Sequence, residues 1–149
     1  MRVWRICREA QAALDGEGAR LFGGRWNSEG VAIVYASATL SLAALEYLAH
    51  IDVEDVAADL IALAIDVPDD APAGTIEPTE LPVDWRLTGH PACIATGDAW
   101  VSRGETLTLS VPSAIVPEES NVLINPAHAH ASFVRVAASR RFGFDPRLL

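Results

Sequence analysis

The feature that most restricts how this chain can fold is an unbroken apolar run at residues 60–65, Leu-Ile-Ala-Leu-Ala-Ile. A strand that is apolar at successive positions has no side suited to water, so both of its faces must be covered. The run is far too short to cross a membrane as a helix. It therefore predicts a strand across residues 59–67 that is buried on both faces.

The remaining hydrophobic patterns predict a mixture of strands and helices. A helix capped by Ser37 or Thr39 should run to about His50, and a weaker helix should end at Gly104. The alternating pattern at 106–111 predicts a strand with one buried face. The predicted strands are 3–7, 31–36, 59–67, 106–111, 121–125 and 132–136, and the predicted loops are 8–29 and 68–85. We expect one α+β domain over residues 1–149; the pattern does not give the strand order.

The charge and the cysteine content limit the classes of function and the cellular compartment that we expect. The chain has 149 residues, a net charge of −9 and eleven cationic side chains, all of them arginine. That balance argues against direct binding of nucleic acid over a broad surface, but it leaves room for one local anion site. The two cysteines, Cys7 and Cys93, are too few for a disulfide framework. With no signal or membrane segment evident, we expect a cytoplasmic protein.

Two features near the N-terminus suggest a nucleotide site. In the segment Gly23-Gly24-Arg25-Trp26-Asn27, the glycines permit a close backbone approach and the arginine fork suits a phosphate pair. The alternative is a surface turn with a solvated arginine, which composition alone favours. Tyr35 stands at the end of a predicted strand and could stack on a flat ring such as nicotinamide, although the residue taken alone favours a core aromatic whose hydroxyl reaches water.

Glu46 is the only acid in the otherwise apolar helical segment LSLAALEYLAH. A carboxylate in a water-poor cleft can stabilise an oxocarbenium-like sugar cation. Alternatively, Thr39, Ala43, Glu46 and His50 form the wet stripe of an amphipathic helix, since they share one helical face. Periodicity does not separate these alternatives.

A metal site is not expected. The pair His128 and His130 has the spacing that some metal sites use, but no cysteine or acid accompanies the two histidines at ligand spacing.

Several blocks together resemble one family. GGRWNSEGVAIVYASATLSLAALEYLAH, at 23–50, resembles the central signature of RES domains, and VPSAIVPEESNVLINPAH, at 111–128, resembles their second block. The opening Trp4-Arg5-Ile6 and the tail at 144–148 are also typical. The blocks cover nearly the whole chain in the expected order.

The resemblance implies a fold and a set of site residues. The fold would be ADP-ribosyltransferase-like, with small mixed or antiparallel sheets flanked by helices. The arginine, glutamate and serine that name the family map to Arg25, Glu46 and Ser113, and its active-site tyrosine maps to Tyr35. Arg5 matches an early arginine near the same cleft.

The resemblance also implies roles for these residues in NAD⁺ chemistry. Arg25, helped by Arg5, would bind the pyrophosphate, and Tyr35 would stack on the nicotinamide. Glu46 would stabilise the ribosyl cation as the nicotinamide–ribose bond breaks. Ser113 would support the nicotinamide side or hold Glu46.

Members of this family are the toxins of bacterial RES–Xre toxin–antitoxin modules, which deplete NAD⁺ by hydrolysis or phosphorolysis or transfer ADP-ribose. We therefore expect NAD⁺ as substrate and a hetero-oligomer with a helix-turn-helix antitoxin of the Xre type, which would carry any DNA binding. One alternative is a mono-ADP-ribosyltransferase directed at a specific protein. The other is a non-catalytic module that binds a nucleotide or a partner.

Overall fold

The computed structural model describes residues 1–149 and contains one seven-stranded mixed sheet with three α-helices. The strands are β1 (Arg2–Arg8), β2 (Val34–Ser37), β3 (Leu60–Asp66), β4 (Ala73–Thr75), β5 (Thr108–Pro112), β6 (Ser120–Ile124) and β7 (Arg135–Arg141). The helices are α1 (Glu17–Phe22), α2 (Leu40–Ala49) and α3 (Pro91–Arg103). The strand order is β4-β5-β6-β2-β1-β3-β7, and only the β4–β5 pair is parallel. The predicted α+β class is confirmed.

The apolar run forms β3, as predicted. Leu60 to Ile65 are all buried, and they divide between two core clusters. Ile61, Leu63 and Ile65 point into the larger cluster, whereas Leu60 and Ala62 point into a smaller one. β3 pairs with β1 on one side and β7 on the other, so its position inside the sheet accounts for its lack of polar residues.

The sheet is nearly divided between β1 and β2. These strands share a single Cα pair, Trp4 with Ser37, while β1 pairs with β3 at seven positions and β2 pairs with β6 at four. We call this weak junction the seam. Backbone and side chains on both sides of the seam are left free to line a cavity.

Two helices are held in place by the residues that the sequence suggested. Thr39 caps α2, because its hydroxyl oxygen accepts a hydrogen bond from the Leu42 amide at 3.1 Å. Gly104 ends α3 in the left-handed conformation, with φ of 62°. Neither these helices nor α1 is long and apolar enough to cross a membrane.

α3 lies against the glycine-rich loop at backbone contact. A Cβ added to Gly97 would lie 1.7 Å from the carbonyl oxygen of Trp26, a distance that no side chain can occupy. Trp26 is itself buried in a cluster with Trp85 and Trp100. This packing fixes the loop that forms one wall of the cavity.

Three sequence predictions of local structure are wrong. The strand expected at 132–136 is a 3₁₀ turn, Ala131–Phe133, and β7 begins only at Arg135. The strand expected at 106–111 begins at Thr108 and is buried at four of its five positions, because β4 and β6 flank it and the core covers both faces. The loop expected at 8–29 contains α1. All residues of α1 are outside the core, so the sequence shows no helical spacing of apolar residues there.

Candidate active site

A cavity of about 380 Å³ opens at the seam. One wall comes from β1 and includes Trp4 and Arg5, and the opposite wall comes from β2 and includes Tyr35 and Ser37. Its size lies within the range of small-molecule sites.

The rest of the cavity wall comes from glycines and from one face of α2. The glycines belong to the segment around α1 and are Gly16, Gly18, Gly23 and Gly24. The α2 residues are Ala43, Tyr47 and His50, and β6 supplies Asn121. Of the helical face that sequence periodicity could assign either to a solvent-exposed stripe or to a site, Ala43 and His50 line the cavity and Thr39 and Glu46 do not.

Glu46 lies beside this cavity and is held by two donors. Its Oε1 accepts hydrogen bonds from the Ser113 hydroxyl at 2.7 Å and from Nδ2 of Asn121 at 2.6 Å. The side chain is half-buried, and no protein donor binds its Oε2. Two fixed donors on one oxygen orient the carboxylate and leave its second oxygen available to a ligand.

The two donors are themselves fixed by their neighbours. Ser113 is fully buried, and its Oγ accepts from the amides of Ile115 and Val116, both at 3.1 Å. Asn121 accepts at Oδ1 from the Ser37 hydroxyl at 2.7 Å, which aims its amide nitrogen at Glu46. These hydrogen bonds join α2 to β2, β6 and the end of β5.

Tyr35 lines the cavity with its ring while its hydroxyl is used by the glycine-rich loop. The hydroxyl donates to Oδ1 of Asn27 at 2.6 Å and accepts from the Trp26 amide at 3.0 Å. Burial raises the pKa of the Tyr35 phenol above its ordinary value. Gly24 is required here, because a Cβ at that position would lie 2.7 Å from the phenol oxygen.

Asn27 organises the same loop. It is almost completely buried, and its Nδ2 donates to the carbonyls of Ala19, Ser28 and Val31 at 2.9–3.0 Å. The Asn27 side chain thus ties the end of the loop to α1 and supports the Tyr35 hydroxyl.

Arg5 is the cationic side chain of the cavity wall. One terminal nitrogen donates to the Tyr35 carbonyl at 3.2 Å, across the seam. Its Nε is buried and has no hydrogen-bond partner. Because Nε is closed off from solvent, the group that can meet an anionic ligand is the other terminal nitrogen, which makes no hydrogen bond to protein.

Arg25 lies outside the cavity. Its guanidinium donates to three successive carbonyls, those of Trp85, Arg86 and Leu87, at 3.2–3.3 Å. Neither Arg25 nor Glu46 lines the cavity, but Glu46 is hydrogen-bonded to Asn121 of the cavity wall, whereas the guanidinium of Arg25 is held on the 85–87 loop. In this position the side chain holds the 85–87 loop against the glycine-rich loop.

The structure brings together four of the five expected side chains. Arg5 and Tyr35 line the cavity, while Glu46 and Ser113 do not line it and are connected to it through the hydrogen bond from Asn121 to Glu46. Sequence reasoning missed Asn27 and Asn121 as site residues, although each stands inside a quoted block, GGRWN and NVLINP. Only the family pattern could have pointed to these two asparagines as site residues, because nothing in the composition distinguishes them.

The match to a family model decides the classification: the RES domain matches residues 2–145. The chain belongs to the RES-domain family.

Relatives of this RES protein agree along nearly its whole length. A protein of Sphingobium sp. (strain YBL2), named Prs ADP-ribosylating toxin, is 41% identical over 98% of this chain and 95% of its own length. Proteins named Toxin Res are 35% identical in Photorhabdus laumondii and 36% identical in Yersinia enterocolitica, covering 100% and 99% of this chain and 97% and 99% of their own lengths.

A solved structure has the same fold. A chain in the crystal structure of the Mycobacterium tuberculosis MbcT–MbcA toxin–antitoxin complex superposes with a TM-score of 0.74 and 22% identity. The match covers 93% of this RES protein and 82% of that chain.

Proposed function

We propose that this RES protein is a bacterial toxin that binds NAD⁺ in the seam cavity and cleaves the bond between nicotinamide and ribose. One observation carries the proposal: a carboxylate fixed by two donors, Glu46, stands beside a cavity whose wall holds a guanidinium with an unused donor, Arg5. The names of the relatives, Toxin Res and ADP-ribosylating toxin, support the same reaction class.

Arg5 is proposed to bind the pyrophosphate of NAD⁺. Its second terminal nitrogen makes no hydrogen bond to protein and suits a phosphate oxygen, and its position in a partly buried wall strengthens the attraction. The four glycines of the opposite wall carry no side chains, so a dinucleotide can approach the backbone there. Arg25 would have to break its hydrogen bonds to three carbonyls before it could bind the pyrophosphate as well. We therefore assign Arg25 to holding the 85–87 loop.

Tyr35 and Glu46 are proposed to act on the nicotinamide riboside. The Tyr35 ring offers a face for stacking, while its hydroxyl is held by Asn27 and does not compete for the ligand. When the C1′–N1 bond breaks, its electron pair leaves with neutral nicotinamide and positive charge develops on the ribose. The Glu46 carboxylate stabilises that charge, and Ser113 with Asn121 prevents it from turning away.

The acceptor that then attacks C1′ defines two versions of the function. Water or phosphate would give NAD⁺ glycohydrolase or phosphorylase activity. A nucleophile on a protein would give a mono-ADP-ribosyltransferase, and the 41% identical relative named ADP-ribosylating toxin favours this second candidate. Water or a neutral protein nucleophile loses a proton as it bonds to the ribose, whereas phosphate attacks through an oxygen that is already anionic.

The partner is proposed to be an antitoxin of the Xre type, with which the RES protein forms a hetero-oligomer in the bacterial cytoplasm. The solved relative is described as part of a toxin–antitoxin complex, which supports a proteinaceous partner. We further propose that residues 1–149 form one RES domain, because the family model spans 2–145 and the strands of one sheet come from both ends of the chain.

The test is incubation of the purified chain with NAD⁺, with and without phosphate or cell lysate, and mass analysis of the products. Native protein should release nicotinamide, while Glu46→Gln should lower the rate about 100-fold or more. The Gln amide can still accept from Ser113 and Asn121, so the fold should persist. Glu54→Gln, an exposed acid outside the cavity, is the matched control. Equal rates for native protein and Glu46→Gln would remove Glu46 from the mechanism.

A further inference from the structure

The free edge of the sheet has a composition unlike the rest of the protein. β7 is the last strand in the order and pairs only with β3. All seven of its residues are exposed, so neither face of the strand is covered. An edge strand also presents a row of unpaired backbone N–H and C=O groups.

The charge of β7 opposes the charge of the molecule. β7 holds three arginines and no acid, whereas the remaining 142 residues hold eight arginines and twenty acids. None of Arg135, Arg140 and Arg141 forms a salt bridge, although most of the other exposed arginines do. The strand is therefore a local cationic surface without a salt bridge, although Arg140 lies over the Phe142 ring at 5.5 Å and Arg135 lies opposite Asp66.

A bulge arranges these arginines. The β3–β7 register shifts between Ala64 and Ile65, which leaves Ala137 without a partner. Arg140 lies opposite Ala62 and Arg135 lies opposite Asp66, so both arginines share one face despite their odd spacing. They are about 13 Å apart along the strand, at the usual rise per residue. A strand lying beside β7 would meet both with side chains on one of its faces.

Apolar surface borders the same edge. Phe133 is 62% exposed and Val136 is 39% exposed. Phe133 and Arg135 share a groove with Met1 and Arg2, and the two acids of that groove, Asp66 and Asp69, are already paired with Arg2 and with the N-terminal amine. An apolar side chain next to a charged edge allows a partner to bury apolar surface, and charge attraction alone does not supply that contribution to binding.

Pairing of two copies through β7 is disfavoured by charge. An antiparallel pair centred on Ala138 would place Arg135 opposite Arg141 and Val136 opposite Arg140. Like charges directly opposite each other destabilise a pair of strands. The same arginines favour a strand that carries carboxylates.

We propose that β7 binds an acidic, extended segment of a partner chain, which adds to the sheet as an eighth strand. Main-chain hydrogen bonds supply the pairing, and carboxylates placed opposite Arg135 and Arg140 supply the selectivity. No residue of β7 lines the seam cavity, so this surface can be occupied without closing the cavity. The proposal does not depend on NAD⁺ chemistry.

The test uses the full chain and a fluorescent peptide of about ten residues that alternates threonine and valine, with two aspartates four positions apart. Anisotropy should show binding that weakens as salt rises. The variant with Arg135→Glu, Arg140→Glu and Arg141→Glu should bind about tenfold more weakly or worse. The matched control changes Arg20, Arg86 and Arg103 to Glu, which alters net charge equally but leaves β7 intact.

Three further outcomes would overturn the proposal. The first is equal binding of a peptide with alternate backbone nitrogens methylated, because that peptide keeps its charges but cannot pair as a strand. The second is a native dimer that the β7 variant abolishes, which would assign the edge to a second copy. The third is a failure of the acidic peptide to bind while duplex DNA binds through the same arginines. If the proposal is correct, the β7 variant should still release nicotinamide from NAD⁺.

Discussion

At the scale of single residues, the Tyr35 hydroxyl couples the cavity wall to the stability of the glycine-rich loop. It accepts from the Trp26 amide and donates to Asn27, and burial raises its pKa. In the unfolded chain a tyrosine loses its proton near pH 10, whereas folded Tyr35 keeps it. The contribution of Tyr35 to stability is therefore complete below about pH 10 and is lost as the pH rises above that value.

Replacing Tyr35 with Phe should lower stability at pH 7 by about 1–3 kcal/mol, because a buried amide and a buried amide oxygen lose their partner. It should also flatten the fall in stability between pH 10 and pH 12. Urea midpoints followed by tryptophan fluorescence at several pH values measure both effects. Tyr47→Phe, which removes a phenol that makes no hydrogen bond to protein, is the control for the loss of stability at pH 7. An equally steep decline in Tyr35→Phe would contradict this account.

Ser113 is expected to matter for both structure and rate. Ser113→Ala removes the acceptor of two amides and one donor to Glu46, so we expect a loss of about 1–3 kcal/mol and a slower release of nicotinamide. The neighbouring Ser110→Ala is the control, since the Ser110 hydroxyl makes no hydrogen bond to protein and should change little. Indistinguishable activities of the two variants would remove Ser113 from the site.

The two arginines near the glycine-rich loop should differ in what they affect. Arg5→Ala should weaken NAD⁺ binding about tenfold or more, because it removes the charged donor of the cavity wall. Arg25→Ala should mainly loosen the 85–87 loop, which three of its hydrogen bonds hold. Calorimetry on the Glu46→Gln background measures affinity without turnover. A larger loss of affinity in Arg25→Ala than in Arg5→Ala would restore the phosphate role to Arg25.

From the sequence we expected Arg25 to share one site with Glu46, Tyr35 and Arg5. In the structure the Arg25 side chain instead contacts the 85–87 loop. Glu46 stood out as a lone acid in an apolar helix, a contrast that sequence displays directly. The direction of Arg25 depends on carbonyls sixty residues away at Trp85 to Leu87, and no local pattern encodes that contact. The partners of Asn27 lie within eight residues of it, but they are mostly backbone carbonyls, which no side-chain pattern in the sequence marks.

At the scale of secondary-structure elements, the contact between α3 and the glycine-rich loop should be intolerant of any side chain. Gly97→Ala would force a Cβ onto the Trp26 carbonyl, and the resulting shift should cost about 1–3 kcal/mol or more. Denaturant unfolding measures it. The control is Gly18→Ala in α1, where a Cβ meets nothing within 4 Å and should be neutral or slightly stabilising. Equal stability of the two variants would show that the loop moves freely.

Elements buried in the core were predictable, while elements on the surface were not. β3 and α3 were found because an apolar run or a proline and glycine pair marks each of them. β7 has no apolar alternation, because all its residues are exposed, and its position follows only from pairing with β3. α1 is six residues long and has no buried side chain, so it also leaves no periodic signal.

At the scale of the whole molecule, a ligand in the cavity should stabilise the seam. Only one Cα pair joins β1 to β2, so a ligand that contacts both walls adds links that the native chain lacks. At 100 times its dissociation constant, NAD⁺ should stabilise Glu46→Gln by about 2.7 kcal/mol, which raises Tm by several degrees. Hydrogen exchange should slow at Arg5 and Tyr35 more than in β5. Unchanged exchange along β1 and β2 would place the ligand elsewhere.

The seam also has a topological consequence. β1, β3 and β7 lie on one side of it and β2, β4, β5 and β6 lie on the other, so the chain crosses from side to side four times. No single backbone cut can separate the two sides into lobes, and neither side can be made as a continuous fragment. Any movement that widens the seam must therefore bend all four connections between the two sides at once.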